Sequence, residues 1–261
     1  MTARRAAPHP PPEASPGPAP ARAAAGRPRV RRGNVEDALK LKAELRAAAM
    51  ELFSEGGLAA VSMRAVGEKV GVSMMTPYHY FEDKAALLAS LWEDVLEQVH
   101  GAITARLTRV SGGQARYRAL VEAFLAYWET HPDEFRLVYL TQRADHRSER
   151  PGAEQAPVYG RLLALVAETL TAYAAELGVA PTHIKIAADV SLAFQLGYLH
   201  AALVNRRYPW SKPGVLRAAC IGQVIESVER CLRAGADLPA RRSAAAGSAV
   251  PHRASRRPAG R

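Results

Sequence analysis

The stretch SMRAVGEKVGVSMMTPYHYF, residues 62–81, decides the fold of the first third of the chain. Ser62 is a residue type that caps helices, and the apolar residues behind it recur at helical spacing. Gly71 can adopt the positive φ that ends a helix, Val72 can tuck between two helices, and Ser73 can cap the next one. The pattern predicts two short helices joined by a three-residue turn.

Pro77 stands near the start of the second of these helices. Inside an α-helix, a proline costs ~3 kcal/mol, because it removes a hydrogen bond and clashes with the preceding turn. If Ser73 is the cap, Pro77 is the fourth helical residue and only the first bond is lost. If Thr76 is the cap, Pro77 is the first helical residue and its missing N–H costs nothing. In both cases the exposed leading turn contains Met74, Met75 and Thr76.

This arrangement has the layout of a helix-turn-helix that reads DNA, in which the second helix presents its first turn to the base edges. The flanking sequence is also helical. Asn34 is expected to cap a preceding helix that ends at Gly56-Gly57, and Asp83 is expected to cap a following one.

The rest of the folded part also follows helical periodicity, and no strand-like alternation of useful length occurs. Segments punctuated by prolines are predicted to be helices, with a polar loop over 144–156; they cover about 115–130, 132–144, 157–178, 182–206 and 213–234. The predicted fold class is all-α: an N-terminal helix-turn-helix domain followed by a helical bundle.

Charge separates the folded part from its two ends. Residues 1–33 and 239–261 each carry a net charge of +6, which leaves −2 for residues 34–238 out of a total of +10. Both ends are rich in Arg, Pro and Ala and have almost no large apolar residues, so we expect them to be disordered. The expected division is an arm over 1–33, a DNA-binding domain over 34–96, a bundle over 97–238 and a basic tail over 239–261.

Composition argues for a cytoplasmic protein. No apolar stretch of about 18 residues suggests a membrane span, and the N-terminus does not resemble a signal peptide. Cys220 and Cys231 do not make a disulfide scaffold, and they are expected to be small buried side chains. We expect no metal, cofactor or enzymatic activity, because no phosphate loop, nucleophile elbow or cluster of metal-ligand residues is present.

The run from Leu45 to Leu96 resembles the DNA-binding domain of the TetR family of transcriptional regulators. The resemblance rests on Phe53, the pair Gly56-Gly57, the helix led by Ser62, the turn Gly71-Val72-Ser73, the sequence Tyr-His-Tyr-Phe at 78–81, and Lys84. It implies a homodimer with a ligand-binding bundle that leaves a double-stranded operator when a small-molecule effector binds. It also places the dimer surface in segments 182–206 and 213–234.

The same resemblance implies roles for individual residues. Tyr78, Tyr80 and Lys84 match positions that contact phosphates, and Ser62 matches a hydroxyl at a helix start. Base contacts fall at Met74, Met75, Thr76 and His79, beside the capping Ser73. Phe81 is expected in the core. Alternatively, Tyr80 packs against the core without binding phosphate, and His79 is a solvated surface residue.

Two features depart from the usual family pattern. Met74 and Met75 cannot make the bidentate hydrogen bonds with which Arg or Asn reads a base, but they can contact thymine methyl groups. The domain over 34–95 has six basic and ten acidic residues, which is unfavourable for binding phosphates. The arm can compensate through Arg27 and its neighbours, among them Arg29, Arg31 and Arg32; the alternative is a tail that only aids solubility.

Aromatic and polar residues of the bundle are candidates for an effector site, because such pockets have apolar walls with few polar groups. The candidates are Phe124, Trp128, Tyr139, Phe194, Tyr198 and His200, although aromatic residues on helices more often belong to a core. A four-residue repeat from Leu216 to Val228 predicts a buried face.

These observations favour a ligand-responsive transcriptional repressor. A protein that binds DNA non-specifically through its arginine-rich tails and an enzyme that uses the bundle pocket remain as alternatives. Sequence-independent DNA affinity would indicate the first alternative, and turnover of a pocket ligand the second.

Overall fold

The computed structural model describes residues 32–141 and 157–234. Within these ranges all regular elements are helical, so the predicted all-α fold is confirmed. Nearly all of the predicted arm, the whole of the predicted loop over 144–156 and the predicted basic tail lie outside the described residues.

The α-helices of the described chain are α1 Arg32–Ala60, α2 Met63–Val70, α3 Lys84–Leu107, α4 Gly113–Thr130, α5 Pro132–Phe135, α6 Pro157–Glu176, α7 Ile184–Leu199 and α8 Pro213–Arg233. Thr76–His79 and Pro181–His183 are 3₁₀ helices. The π-helical turns Arg136–Leu140 and His200–Val204 extend α5 and α7. The bundle segments predicted from the proline spacing therefore correspond to observed helices.

Helix α1 differs from expectation at its start. It begins at Arg32, so Asn34 lies inside the helix and does not cap it. Near its other end, Gly56 and Gly57 leave helical geometry as predicted, and Gly57 has a φ of 65°, which favours glycine. Helical geometry resumes after this break and continues to Ala60.

The chain divides into two compact units after Leu41. The described part of the first unit is the beginning of α1, and the second unit starts at Lys42. The core under the helix-turn-helix belongs to the second unit and buries Leu45, Val66, Phe81 and Leu87. Phe81 is therefore a core residue, as expected.

Helices α3, α4, α6, α7 and α8 pack into the bundle. Its core contains Trp128 and the stacked rings of Tyr117 and Tyr173, whose centroids are 6.2 Å apart. The repeat on α8 is buried as predicted, but it faces the chain's own core: Val224 and Val228 are fully buried there, and Leu216 and Cys220 pack against it. That stripe is consequently not available to a partner.

Helix α3 continues without a break across residue 96. The boundary predicted between residues 96 and 97 therefore falls inside one helix that contributes to both parts, and the domain division stays a prediction. Because α1 begins at Arg32, residues 32 and 33 of the predicted arm lie within a helix.

Among the described residues, one segment has the length and composition of a membrane-crossing helix. Pro181–Val204 reaches a mean hydropathy of 1.3 over its most apolar window, of which 28% is buried. A single helix of this kind is weak evidence for a membrane span, because helices of soluble proteins pass the same test. Its exposed apolar side chains nevertheless need an explanation.

Candidate nucleic-acid interface and bundle cavity

Helix α2 is capped at both ends as the sequence predicts. The Ser62 hydroxyl accepts a hydrogen bond from the Ala65 N–H at 3.1 Å. Gly71 ends the helix in the left-handed conformation, with a φ of 78°, and its N–H returns to the Glu68 carbonyl. The Ser62 side chain is exposed. Its hydroxyl only accepts in this contact, so the hydroxyl hydrogen can be donated to a phosphate.

The second helix of the motif is shorter than predicted. It is a single 3₁₀ turn, Thr76–His79, and Met75 occupies its cap position. Neither Ser73 nor Thr76 is therefore the N-cap. The Ser73 hydroxyl instead accepts a hydrogen bond from the Met75 N–H at 3.3 Å, which holds the connecting turn.

Pro77 is the second residue of this 3₁₀ turn, where no intrahelical N–H is required. It is buried against α2 at Gly67, where an added Cβ would lie 3.4 Å from Pro77 Cγ and 3.3 Å from the Ser73 carbonyl oxygen. The close approach of the two segments explains the proline, which starts the turn and packs its ring against α2.

The outer surface of the motif carries large apolar side chains. Met74, Met75 and Tyr78 are 50%, 58% and 49% exposed, and His79 is exposed beside them. Thr76 and Tyr80 are half-buried. Contiguous exposed apolar side chains on a folded domain mark an interaction surface. Of the residues predicted to contact bases, Met74, Met75 and His79 are thus exposed, and Thr76 is partly exposed.

Most cations of this domain are engaged internally. Lys69 forms ion pairs with Glu51 and Glu55, at 3.1 and 2.9 Å, and Arg64 pairs with Glu68 at 2.7 Å. The Glu68 hydrogen bond and charge raise the pKa of the Arg64 guanidinium.

Two further cations, Lys84 and Lys42, also have partners within the domain. Lys84 Nζ donates to the Leu58 carbonyl oxygen at 2.6 Å, and Lys42 lies 5.6 Å from the centroid of the Phe81 ring. Lys84 thus satisfies a backbone carbonyl near the end of α1, in addition to its predicted role at a phosphate. A phosphate would have to compete with a carbonyl for this ammonium.

The arginines predicted to supplement this charge lie at the N-terminal edge of the described chain. Arg29 and Arg31 are outside the described residues, and Arg32 is the first residue of α1.

Three of the six candidate effector residues meet in one aromatic cluster. The Trp128 ring is fully buried and contacts Phe124 and Tyr139 edge-on, at centroid distances of 6.0 and 5.4 Å. Phe135 completes the cluster at 5.9 Å from Trp128. Trp128 and Phe135 belong to the bundle core and Phe124 packs against it, whereas Tyr139 is 36% exposed at the edge of the cluster. Trp128 Nε1 has no hydrogen-bond partner among the described residues.

The other three candidates lie on α7 and its π turn, and they do not join that cluster. Phe194 and His200 are exposed, whereas Tyr198 is buried and donates to Glu129 Oε1 at 2.5 Å. Burial raises the pKa of Tyr198, and the hydrogen bond to Glu129 raises it further, so the hydroxyl remains a donor. The six predicted residues therefore do not form one site.

A cavity of about 630 Å³ opens beside Tyr198. Its lining includes Glu129, Arg217, Tyr208 and Trp210, none of which the sequence analysis selected. The signal that could have found it is the segment Tyr-Pro-Trp-Ser-Lys-Pro at 208–213, where two aromatic residues and two prolines occur in an otherwise polar connection.

In the part of the chain that is described, potential metal ligands are scattered and both cysteines are free. No group of three His, Cys, Asp or Glu residues there could hold a metal ion. Cys220 and Cys231 are free and half-buried against the core, and burial raises the pKa of the Cys220 thiol.

Comparison with known proteins adds to this geometry. Residues 45–91 match the family model of bacterial regulatory proteins of the tetR family. The chain is 28% identical over 109 residues to the HTH-type transcriptional activator FasR of Mycolicibacterium smegmatis, covering 42% of this chain and 50% of FasR. It is also 28% identical over 157 residues to the HTH-type transcriptional regulator BetI of Escherichia coli, covering 50% of this chain and 80% of BetI.

A solved structure has the same fold. A bacterial regulatory protein in the tetR family from Rhodococcus RHA1 superposes with a TM-score of 0.58 at 22% sequence identity, covering 72% of this chain and 97% of that one. The family match spans the whole helix-turn-helix described above, from the buried Leu45 of α1 to Leu91 of α3. Residues 45–91 therefore form a DNA-binding domain of the tetR family of bacterial regulatory proteins, and the chain is similar to transcriptional regulators of that family.

Proposed function

We propose that the chain is a homodimeric repressor that binds a palindromic operator in the cytoplasm and leaves it when a small apolar or aromatic effector binds the bundle. The observation that carries this proposal is the exposed face formed by Met74, Met75, Tyr78 and His79 on the helix-turn-helix. A folded domain gains nothing by exposing these side chains to water, whereas a duplex offers them methyl groups and phosphates.

The residues of this face divide into two roles. Met74 and Met75 protrude from the turn that leads into the 3₁₀ helix and contact base edges, together with Thr76 and His79. Tyr78 and Tyr80 donate their phenol hydroxyls to phosphates on either side, and Ser62 donates at the start of α2. Lys84 joins them by exchanging its bond to the Leu58 carbonyl for a phosphate.

The arm supplies the charge that the domain lacks. Because the cations of the domain already have internal partners, phosphate neutralisation falls to Arg29, Arg31 and Arg32. These residues end where α1 begins and can lie in a neighbouring minor groove.

A second copy of the chain covers the exposed faces of α7 and α8. Gly197 and Gly222 have open space where a Cβ would lie, and Ile186 and Val215 expose apolar side chains on the same two helices. Small residues allow two helices to approach closely, and the apolar residues around them gain from burial. A dimer also fits an operator with two-fold symmetry.

Release from DNA follows from a population shift. The dimer has one arrangement that fits both half-sites and one that does not, and an effector that binds the second more tightly moves the equilibrium. Because binding free energies are coupled reciprocally, operator DNA weakens effector binding by the same factor.

The test begins with an operator selected from random duplexes by the full chain. Its affinity is then measured by fluorescence anisotropy for the wild type, Tyr78→Ala and Leu163→Ala. Both side chains are exposed to a similar degree, but only Tyr78 belongs to the proposed DNA-binding residues. Loss of one phosphate hydrogen bond should weaken binding about tenfold in Tyr78→Ala alone. Equal affinity of the two variants would contradict the proposal.

A further inference from the structure

The cavity beside Tyr198 is lined by residues from several parts of the fold. They come from the π turn His200–Val204, from the connection 205–212 and from the first turns of α8, together with Tyr198 of α7 and Glu129 of α4. Its volume of about 630 Å³ lies within the usual range of small-molecule sites, roughly 300–1,000 Å³. The π turn belongs to a class of helix distortion that is common at functional sites.

Glu129 and Arg217 form the polar side of the cavity. The Glu129 carboxylate accepts hydrogen bonds from the Tyr198 hydroxyl at 2.5 Å and from Arg217 Nε at 3.0 Å. Arg217 Nη2 donates to the Glu122 carbonyl oxygen at 3.0 Å. Both oxygens of Glu129 are thus satisfied, whereas Arg217 Nη1 remains as a donor for an occupant within the described part of the chain.

The cavity also has an aromatic part of its lining. The rings of Tyr208 and Trp210 lie 4.4 Å apart, and the side chains are 56% and 41% exposed. Trp210 Nε1 donates to the Asn205 carbonyl oxygen at 2.9 Å, which fixes the indole and uses its only donor. Pro209 and Pro213 also line the cavity. The two rings, tilted by 53° to each other, line the cavity without an unsatisfied indole N–H, so this wall suits an aromatic, apolar body.

We propose that this cavity binds a flat aromatic carboxylate, whose ring lies against Trp210 and Tyr208 and whose carboxylate pairs with Arg217. The inference rests on the proposed function, because it names the chemical class of the effector.

A cationic or a neutral ligand fits the same groups less well. A cation would compete with Arg217 for Glu129 and would face the remaining guanidinium donors. A neutral ligand would leave those donors unpaired when it excludes water from them, which is costly for a charged group.

The test measures binding without DNA. Benzoate, 2-naphthoate and indole-3-carboxylate are titrated into the full-length protein by calorimetry, and 2-naphthylmethanol serves as the uncharged match of 2-naphthoate. At least one acid should bind at submillimolar concentration with one site per chain. 2-Naphthylmethanol should bind at least about tenfold more weakly than 2-naphthoate, because it lacks the charge-assisted pair with Arg217.

Three variants locate the site. Arg217→Gln should weaken binding of the acids about tenfold or more, and Trp210→Leu should do so through loss of the ring contact. Tyr139→Leu, in the separate aromatic cluster, should leave binding unchanged. Trp210 projects from a surface connection, so Trp210→Leu keeps the test decisive even where Arg217→Gln perturbs folding.

Several results would overturn the inference. These are equal binding of 2-naphthoate and 2-naphthylmethanol, loss of binding only in Tyr139→Leu, or no binding of any acid at millimolar concentration. Absence of binding together with a shift from dimer to monomer in Trp210→Leu would assign the cavity to a second copy of the chain.

The failure of this inference and that of the proposed function are distinguishable. If an acid binds at this site but leaves operator affinity unchanged, the site stands and the proposed release mechanism fails. If the operator is bound specifically and no acid binds, the regulator stands and the effector class fails.

Discussion

Arg46 of α1 lies against Asp94 of α3, with Nε 2.7 Å from Oδ2. The Nε–H does not meet hydrogen-bond geometry, so the contact is an ion pair that joins the first helix under the DNA-facing surface to the long helix that enters the bundle. One turn further along α3, Glu97 forms an ion pair with Arg161 of α6. Helix α3 therefore holds α1 on one side and the bundle on the other.

The ion pair between Arg46 and Asp94 predicts a titration. Burial raises the pKa of the Asp94 carboxyl and the Arg46 charge partly offsets this, so the folded-state pKa lies above the unfolded one. The native state then holds the proton more tightly, and the contribution of Asp94 to stability falls as pH rises through the window between the two values. Arg46→Met should raise the pKa of Asp94 further, as measured by carboxyl NMR. A lower or unchanged pKa would contradict the pairing.

Lys84 should have two separable roles. Removing its ammonium in Lys84→Met frees the Leu58 carbonyl, so we expect a loss of about 1 kcal/mol in the free energy of unfolding as well as weaker operator binding. Lys185→Met, at an exposed pair with Asp189, is the matched control and should change neither. Denaturant titration and anisotropy measure the two effects. Lost stability with unchanged DNA affinity would leave Lys84 only its structural role.

The arm should govern the salt dependence of binding. Deleting residues 1–31 should flatten the slope of log K against log salt by about 0.9 for each phosphate contact that is lost. The affinity difference between operator and scrambled DNA should persist. If the slope is unchanged, the arm does not contact phosphates.

Met74 and Met75 predict how bases are read. Their side chains offer no hydrogen-bond donor, so replacing thymine by uracil at the bases they face should cost about 0.8 kcal/mol, the value of one buried methyl group, or roughly fourfold in affinity. Met74→Ala should abolish this sensitivity at one position and Met75→Ala at another. A uracil scan without any responding position would assign the readout to Thr76 and His79.

Local sequence signals predicted the helix-turn-helix well, because caps and turns depend on neighbouring residues. Ser62, Gly71 and Asp83 act at the helix ends where the sequence placed them. The length of the second helix was not predictable in this way. It depends on the packing of Pro77 against Gly67, a tertiary contact that no spacing rule contains.

The bundle illustrates the opposite case. Helical periodicity predicted the helices, but it does not distinguish a packed aromatic residue from one that lines a cavity. Trp128 and Tyr198 are both aromatic residues within predicted helices. In the structure, however, Trp128 packs against other aromatic rings and Tyr198 lines the cavity. Arg217 and Glu129 are 88 residues apart, so their pairing emerges only when α4 and α8 pack together.

The proposed function requires that the exposed residues around Met75 and His79 read DNA sequence. The most direct measurement is the ratio of affinities for the selected operator and a scrambled duplex of equal length, at one fixed salt concentration. We expect a ratio of about 10³ or more for the wild type, which falls towards one when Met74, Met75, Thr76 and His79, the four residues proposed to contact bases, are all replaced by alanine. A ratio near one for the wild type, or a high ratio that survives the quadruple replacement, would contradict the proposal.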